Sequence, residues 1–433
     1  IAGYYFKPSE VSEISGDLVA AFAPDGAREG EMRKRVERAW RVAFLPSYRE
    51  TEAKIGMIEK ETKEINAKVP LTMVMKELAQ PRPTFVLTRG QYDKPDKDRP
   101  VTRGVPAALG AMPKDAPANR LGLAQWMTAN DNPLLARVTV NRLWEMVFGL
   151  GIVATSEDFG YQGQWPSHPE LLDWLAVEFR ESGWDVQHIL KLMVTSATYR
   201  QASTVREELH ERDPENTWLA YYPRRRLTAE QIRDTALYVA GLLVEKTGGP
   251  SVKPYQPEGL WQEVAMPQSN TREYKRGAAE EMWRRSLYTY WKRACPPPSL
   301  LTFDAPTREF CTIRRASTST PLQALVLWND EQYLEAARVL AQRTLAEEKE
   351  DGARLAVLFR RCAAREPTAK ERASLVEALA YFRARYKDAP ADAEGVLKAG
   401  MAPRPENSEP SELAAWTMIA SAVINMYETT TQE

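Results

Sequence analysis

The sequence predicts a mostly α-helical protein, a multi-helix orthogonal or bundle-like assembly with one short strand segment and long proline-rich connecting loops. Apolar residues recur at positions i, i+3, i+4 and i+7 in the central and C-terminal parts, which is the spacing of one helix face. Signals that start helices precede several of these stretches. The one convincing strand signal is a β-branched and aromatic run at 84–88.

The length of 433 residues predicts two to three packing units, because globular domains hold roughly 150 residues each. We expect an N-terminal helical arm at 1–70, a main helical domain at 71–330 and a C-terminal helical subdomain at 331–433. The arm is dense in Glu, Lys and Arg, has apolar residues at helical spacing, and is interrupted by Pro46. The chain opens on Ile1, and we expect its natural start to lie outside this sequence.

Helices in the central part begin with recognisable signals. Asn132 followed by Pro133 is a cap with proline in the first turn. Ser167 and Glu170 predict a capping box for the next helix, which Gly183 ends. Another helix follows after so few residues that we expect the two to pack as an antiparallel pair. The predicted apolar faces of these helices contain Val140, Leu143, Trp144, Val147, Leu172, Leu175, Phe179, Ile189 and Met193.

Helices continue towards the C-terminus around one irregular stretch. Thr228 with Gln231 predicts a capping box for a helix that the glycine pair at 248–249 ends. Prolines and aromatics dominate the residues that follow, and there we expect a helix only over about 282–293. A capping box with a first-turn proline at 320–323 starts helical structure again. The C-terminal third is therefore predicted to be all-α.

Charge and hydropathy exclude several classes of protein. The chain has 58 Lys and Arg residues against 59 Asp and Glu residues, so no global field attracts nucleic acid, and we predict no nucleic-acid partner. Hydrophobic residues at 43% and charged residues at 27% are values typical of a globular protein. The longest weakly polar run, at 414–426, is shorter than the roughly 20 apolar residues that span a bilayer, which predicts no transmembrane segment.

Cysteine and histidine spacing predicts no metal site and no cofactor held by this chain. The three cysteines show neither a C-x-x-C nor a C-x-x-C-H spacing, so no haem attachment or zinc site is indicated. Cys295 and Cys311 either close a loop by a disulfide in an oxidising compartment or remain buried thiols. The three histidines lack the spacing that places two imidazoles on one helix face.

His168 and Asp158 are the candidate catalytic residues. His168 stands at a helix start, ten residues after Asp158, in a loop that also contains Gly160, Gly163 and Trp165. A loop of this kind can present a titratable group to a substrate as a general acid or base. The alternative interpretation is a polar helix entrance without a catalytic role.

Two clusters of arginine and aromatic residues are candidate binding sites. Arg225 and Arg226 follow a pair of tyrosines, and Arg284 follows Trp283 in a stretch where aromatics and basic residues alternate. Aromatic faces beside guanidinium groups bind single-stranded nucleic acid or anionic sugars by stacking and bidentate hydrogen bonds. The same composition also makes an internal layer of ion pairs, because acidic residues are nearby.

The polar loop between two predicted helices is a third candidate for ligand or partner binding. It begins at Asp304 and includes Arg308, Arg314 and Arg315. A loop so dense in charged residues either binds another molecule or locks neighbouring elements together. Both alternatives remain open from the sequence.

Several longer strings occur in one order and together resemble a known family, over roughly residues 72–428. They are RVTVNRLW at 137–144, FG at 148–149, DFG at 158–160, PSHPELLDWL at 166–175, TSATYR at 195–200, RRL at 225–227, FDAP at 303–306 and TPLQAL at 320–325. With these motifs the chain resembles the planctomycete-specific domain family of unknown function. The members of that family resemble exported, envelope-associated proteins, so the resemblance implies an extracytoplasmic location, in the periplasm or at the cell surface.

The resemblance also implies partners. Family members are often preceded in the same polypeptide by another uncharacterised domain and by a planctomycete cytochrome C domain with haem-attachment cysteines. We therefore expect a c-type haem in a neighbouring domain or partner, and the arm before Val69 to be the tail of a preceding domain. Our first hypothesis is a non-catalytic helical assembly or binding module that docks this partner and holds a polysaccharide. The second is a subunit of an oxidoreductase that acts on sugars or alcohols and passes electrons to the haem domain.

Overall fold

The computed structural model describes residues 30–405 and 408–432, and it confirms a mostly α-helical protein. The α-helices in these ranges are α1 (Glu31–Phe44), α2 (Pro46–Lys68), α3 (Arg120–Met127), α4 (Leu135–Phe148), α5 (Pro169–Glu181), α6 (Val186–Thr195), α7 (Glu207–Arg212), α8 (Ala229–Ala240), α9 (Leu260–Val264), α10 (Ala279–Met282), α11 (Pro298–Thr302), α12 (Pro321–Asn329), α13 (Glu331–Glu347), α14 (Asp351–Ala363), α15 (Ala369–Asp388), α16 (Pro390–Leu397) and α17 (Pro410–Ile424).

Short strands form two antiparallel two-stranded sheets in the described ranges. β1 (Thr84–Leu87) pairs with β2 (Pro95–Val101), and β3 (Arg225–Arg226) pairs with β4 (Thr431–Gln432). The sequence predicted only β1. The other strands escaped prediction because β2 consists mostly of proline and charged residues and because β3 and β4 have two residues each.

Residue contacts divide the chain into two units, Ile1–Thr102 and Arg103–Glu433. In the first unit α1 and α2 are separated by one residue, and Pro46 begins α2 as the sequence predicted. The Arg38 guanidinium donates two hydrogen bonds to the Glu52 carboxylate, at 3.0 and 2.6 Å, which ties the two helices together. The predicted domain boundaries at residues 70 and 330 stay predictions.

The second unit contains two hydrophobic cores. The smaller one forms where α4, α5 and α6 pack together, around Val140, Leu175 and Ile189. The larger one surrounds α17, whose Trp416 and Ile419 are fully buried, and it takes side chains from α8 and from α11 to α16. Other elements cover α17 on nearly every side, and most of its residues are buried. This agrees with its sequence, which is apolar on nearly every face.

Capping boxes form at the starts of α8 and α12, as the sequence predicted. In α8 the Thr228 hydroxyl accepts from the Gln231 backbone N–H, and the Gln231 side chain accepts from the Thr228 backbone N–H. The capping box predicted at Ser167 is wrong. His168 is the N-cap residue of α5 and makes no side-chain cap bond, while Ser167 Oγ donates to the carbonyl of Ile152.

Two helix predictions around the irregular stretch are also wrong. α8 ends just before Gly241, which adopts φ 75°, rather than at the glycine pair downstream. The helix predicted over 282–293 is replaced by an extended segment with one 3₁₀ turn. Its backbone pairs with Val252 instead: the Tyr288 carbonyl accepts from Val252 and the Tyr290 amide donates to Val252, both at 2.7 Å. Backbone hydrogen bonds to Val252 thus take the place of the hydrogen bonds that a helix over 282–293 would have made.

Arg383 of α15 connects three helices of the larger core through two carboxylates. Its guanidinium donates to Asp351 of α14 at 2.6 and 3.0 Å and to Glu412 of α17 at 2.7 and 2.5 Å. These hydrogen bonds hold the pKa of Asp351 and the pKa of Glu412 below their usual values. Both carboxylates therefore stabilise the fold above their unfolded pKa values of about 4, and the stabilisation is lost as the pH falls through the folded values.

We expect Arg383→Met to lower the free energy of unfolding by about 1–2 kcal/mol at neutral pH, because it removes four hydrogen bonds to two neighbouring carboxylates and leaves them only Arg354 as a shared cation. The difference from wild type should shrink in acid as both carboxyl groups become protonated. Urea denaturation at a series of pH values measures it. Arg385→Met is the control, because it removes only exposed contacts, an ion pair with Asp392 and a side-chain hydrogen bond with Tyr381. A difference that stays constant down to acid pH would contradict the prediction.

Candidate functional site

A cavity of about 170 Å³ lies beside the C-terminal half of α4. Its walls come from four stretches of chain, and its lining residues are Trp144, Leu150, Gly151, Ile152, Ala154, Gln164, Trp165, Ser167, His168, Glu215, Asn216, Thr217 and Leu219. The lining mixes aromatic, aliphatic and uncharged polar side chains with one carboxylate. Such a lining suits a ligand with both apolar and hydroxylated surface.

Asn141 holds the first wall of the cavity in place. Its side chain is fully buried, donates to the Val153 carbonyl at 3.0 Å and accepts from the Val153 amide at 2.8 Å, as a paired β-strand residue would. A Cβ atom on Gly151 would lie 2.6 Å from the Asn141 side chain, so only glycine fits there. The Asn141 amide also donates to Ser156, which donates to Glu145. This network fixes the loop at 150–156.

The structure places His168 in the cavity lining and orients its ring through Ser167. Ser167 Oγ lies 3.3 Å from the Ile152 carbonyl, to which it donates, and 2.9 Å from His168 Nδ1. A hydroxyl has one proton, so Ser167 Oγ can donate to only one of these two atoms at a time, and the contact at Nδ1 fixes the orientation of the ring. No described residue bonds to Nε2, which leaves it available to a hydroxyl group in the cavity.

Asp158 shapes the loop that carries the second wall and does not line the cavity. Its Oδ1 accepts from the Gly160 amide at 2.6 Å, and its carbonyl accepts from the Thr155 hydroxyl at 2.8 Å. A Cβ atom on Gly163 would lie 2.1 Å from the Asp158 carbonyl oxygen, so the loop folds tightly on itself. Among the described residues no hydrogen bond joins Asp158 to His168, and their catalytic role stays a prediction.

Exposed aromatic residues around the cavity are functional candidates that the sequence did not single out. Trp165 lines the cavity and is 93% exposed, and Tyr161 on the same loop is fully exposed. Trp218 is 64% exposed and stands between the lining residues Thr217 and Leu219. One sequence signal could have identified Trp165 as exposed. It stands in a glycine-rich loop, outside the apolar helical or strand pattern in which buried tryptophans usually occur.

The predicted arginine clusters contact mainly the chain's own backbone. Arg225 donates to the Met146 carbonyl and, at 2.5 Å, to the Gln432 side chain. Arg226 reaches Thr430 Oγ1 at 3.5 Å, and burial lowers its pKa. These contacts join the β3–β4 sheet to α4.

Trp283 and Arg284 have internal partners as well. Trp283 Nε1 donates to the buried carboxylate of Glu335 at 3.0 Å. Arg284 is 5% exposed, donates to the carbonyls of Lys246 and Gly248 at 2.8 and 2.6 Å, and lies 3.8 Å above the Tyr288 ring. These contacts agree with the alternative that the two residues belong to an internal layer, in which carbonyl oxygens are the main acceptors of Arg284. A binding role for Trp283 and Arg284 stays a prediction.

The four candidates of the polar loop have different surroundings. Asp304 accepts from the Thr318 amide and hydroxyl at 2.7 and 2.8 Å, which closes the loop at its base. Arg315 donates to Glu230 at 2.7 Å, and the Arg308 guanidinium lies 4.3 Å above the Trp291 ring. Arg314 is exposed and has no hydrogen bond to any described residue. The loop is thus anchored by Asp304 and Arg315 while its middle faces solvent.

Cysteine, metal and membrane features complete the description of this chain. Cys295 and Cys311 are both free, Cys311 is exposed, and burial raises the pKa of Cys362 to about 12. Over residues 30–405 and 408–432, no group of three or more His, Cys, Asp or Glu side chains could hold a metal ion. In the same ranges every helix is too short or too polar to cross a bilayer.

The fold and the cavity together define a mostly helical module whose charged side chains chiefly anchor its own loops. The family model described as "PSD1: Protein of unknown function (DUF1553)" matches residues 119–379, from the start of α3 into α15. This is more than half of the chain, and the protein therefore belongs to that family. The result confirms the resemblance that the sequence motifs indicated. No curated protein and no solved structure matches the chain.

Proposed function

We propose that this protein is a non-catalytic helical binding and assembly module of an extracytoplasmic envelope complex. It holds a polysaccharide at the cavity beside α4 and docks a c-type cytochrome-bearing partner or domain. The observation that carries the first part is the 93% exposure of Trp165, an aromatic residue that lines a polar cavity.

The chemistry of a sugar ring fits this cavity. A pyranose has an apolar C–H face and a rim of hydroxyl groups, so it needs a flat aromatic surface beside hydrogen-bonding side chains. Trp165 supplies the flat surface, and Gln164, Glu215 and His168 supply donors and acceptors. An indole in water forgoes the stabilisation that burial would give, and such a surface is typically covered by another molecule.

We expect Trp165→Ala to weaken binding to a soluble polysaccharide by roughly tenfold or more, because about 1.4 kcal/mol of contact energy corresponds to a factor of ten. Affinity electrophoresis in gels that contain hydroxyethyl cellulose or alginate measures the retardation of each variant. Hydroxyethyl cellulose is neutral and alginate is acidic, so comparing the two gels shows whether the cavity prefers a neutral or an anionic polysaccharide.

Trp174→Ala is the matched control, because Trp174 on α5 is 52% exposed and lies outside the cavity lining. It should leave the retardation unchanged. The polysaccharide proposal fails if neither polymer retards the wild-type protein, or if Trp174→Ala and Trp165→Ala reduce retardation equally.

The exposed loop at 307–320 supports the docking part of the proposal. Phe310 is 74% exposed and Ile313 is 43% exposed, and arginines flank both of them. Exposed apolar side chains within a basic loop fit a protein partner with an acidic surface. The haem-bearing identity of that partner rests on the family resemblance.

We expect a tagged form of this protein, recovered from its source, to carry a partner with the absorption bands of c-type haem. The double variant Phe310→Ser, Ile313→Ser should reduce the haem recovered per mole of protein several-fold, since it removes the apolar contact. Tyr238→Ser changes an exposed aromatic residue on α8 and serves as the control. Equal haem recovery with the double variant and the wild type, or no haem with either, would count against docking through this loop.

A further inference from the structure

Helix α2 carries an apolar stripe that no described residue covers. Ile55, Ile58 and Ile65 are between 45% and 62% exposed, and Val69, directly after the helix, is 49% exposed. None of the residues of α2 is buried. An amphipathic helix of this length normally gains most of its stability by packing its apolar face. The apolar stripe of α2 therefore has no packing partner among the described residues.

The spacing of the stripe is that of a coiled coil. Counting from Ile55, apolar or threonine side chains follow at intervals of three and four residues, through Ile58, Thr62, Ile65 and Val69. This alternation assigns Ile55, Thr62 and Val69 to heptad position a, and it assigns Ile58 and Ile65 to position d. A period of 3.5 residues suits a helix that packs along another helix over its whole length.

From this we propose that α2 pairs in parallel with α2 of another copy of this chain, so that the protein self-associates through a short coiled coil. The choice of a second copy rests on charge. In a parallel pair the g position of one helix faces the next e position of its neighbour. Lys54 at position g then faces Glu59 of the other copy, and the symmetric pair repeats the attraction. The following pair, Glu61 and Asn66, has no like-charge repulsion.

An antiparallel arrangement is less favourable by the same charges. It places e positions opposite e positions, so the Glu59 carboxylates of two copies would meet, and the attraction between Lys54 and Glu59 would be lost. Position a holds the β-branched residues Ile55, Thr62 and Val69, and both d positions hold isoleucine, whereas leucine at d would favour two strands. We therefore expect a parallel trimer or tetramer.

The segment that follows α2 enlarges the same uncovered surface. Five large apolar side chains between residues 71 and 78 are 61% to 101% exposed: Leu71, Met73, Val74, Met75 and Leu78. Because this segment continues directly from Val69, association along α2 brings copies of it together. An exposed apolar surface of this extent is typical of an interface. The inference does not depend on the proposed function.

Cysteine cross-linking of the full chain tests the parallel register. In a Cys295→Ser, Cys311→Ser background, Ile65→Cys should form covalent dimers under mild oxidation, because equivalent d positions meet only in a parallel coiled coil. Lys60→Cys, at the outward f position, is the matched control and should remain uncross-linked. Equal cross-linking of both variants would indicate random collision and would overturn the proposal.

Sedimentation velocity tests self-association without any new cysteine. The wild-type protein should have the mass of three or four copies, and Ile58→Asp should shift it to the mass of one copy, while Lys60→Asp should leave it unchanged. Circular dichroism confirms that both variants keep their helical content. A wild-type protein that is monomeric at all concentrations tested would overturn the proposal, and so would an assembly that Ile58→Asp leaves intact.

Discussion

Glu335→Ala is expected to lower the free energy of unfolding by about 3–5 kcal/mol, because it removes a fully buried carboxylate that accepts from four donors. The Glu335 side chain is fully buried on α13. It accepts from the Tyr255 hydroxyl at 3.1 Å, from Trp283 Nε1 at 3.0 Å, and from the Met401 and Ala402 amides at 2.6 Å each. A loss of this size is a large share of the 5–15 kcal/mol that typically stabilises a domain.

The four donors explain why this carboxylate is retained in the core. They come from three separate stretches of chain, at Tyr255, at Trp283 and at 401–402, so Glu335 pins three segments to α13. Burial, with the Glu335 charge beside it, raises the pKa of Tyr255, which keeps the phenol protonated as a donor. Without the carboxylate, the Ala402 amide, the Trp283 indole and the Tyr255 hydroxyl would lose this acceptor, while the Met401 amide would keep its bond to the Tyr255 oxygen.

Urea denaturation followed by tryptophan fluorescence measures the effect of Glu335→Ala. Glu331→Ala is the matched control, one turn earlier on the same helix. Glu331 makes only an exposed ion pair with Arg276, at 3.5 Å, so its loss should cost less than about 1 kcal/mol. Similar unfolding midpoints for the two variants would show that the buried carboxylate does not stabilise the fold as argued.

Arg233→Met should also cost about 3–5 kcal/mol, because it leaves several buried acceptors without donors while keeping a side chain of similar length. Arg233 on α8 is 2% exposed. It donates to Gln332 at 2.7 Å, to the Arg284 carbonyl at 2.9 Å and to the Met282 carbonyl at 2.5 Å. The guanidinium thereby fastens the extended segment at 282–288 to α8 and α13.

Near-ultraviolet circular dichroism should report the loosening of that segment, since Trp283 and Tyr288 lie in it. Arg285→Met is the control for charge, because Arg285 is exposed and its ion pair with Glu245 is 3.6 Å long. We expect the control to retain the wild-type spectrum and unfolding midpoint. An Arg233→Met protein within 1 kcal/mol of wild type would refute the anchoring role.

The contacts of Arg233 and Glu335 change how the aromatic and basic stretch at 283–293 is understood. From the sequence, alternating arginines and aromatics are compatible with a binding surface, but the acidic residues available for pairing favour an internal layer. In the fold, Trp283 donates to Glu335, and Arg284 donates to backbone carbonyls through its terminal nitrogens, while its buried Nε has no acceptor among the described residues. The cavity beside α4, with Trp165 exposed and His168 Nε2 available, is therefore the place where we look for a ligand.

Local signals predicted much of the helical structure. The boxes at Thr228 and Thr320 and the break at Pro46 act within one helical turn, so neighbours in sequence are neighbours in space. The same reasoning failed at Ser167, because the Ser167 hydroxyl donates to the carbonyl of Ile152, which lies 15 residues earlier in the chain. A distant acceptor cannot be seen from a capping pattern.

By itself the sequence determined the helical class and the apolar faces that form the cores, because these depend on composition and on the 3.6-residue period of a helix. It also indicated the family, through the resemblance of its ordered motifs. Only the tertiary structure decided that Asp158 closes a turn, that His168 borders a cavity with Trp165, and that Glu335 and Arg233 are buried anchors. The partners of Glu335 and Arg233 lie tens of residues away along the chain, and a hydrogen bond over that separation exists only once the cores have brought these segments together.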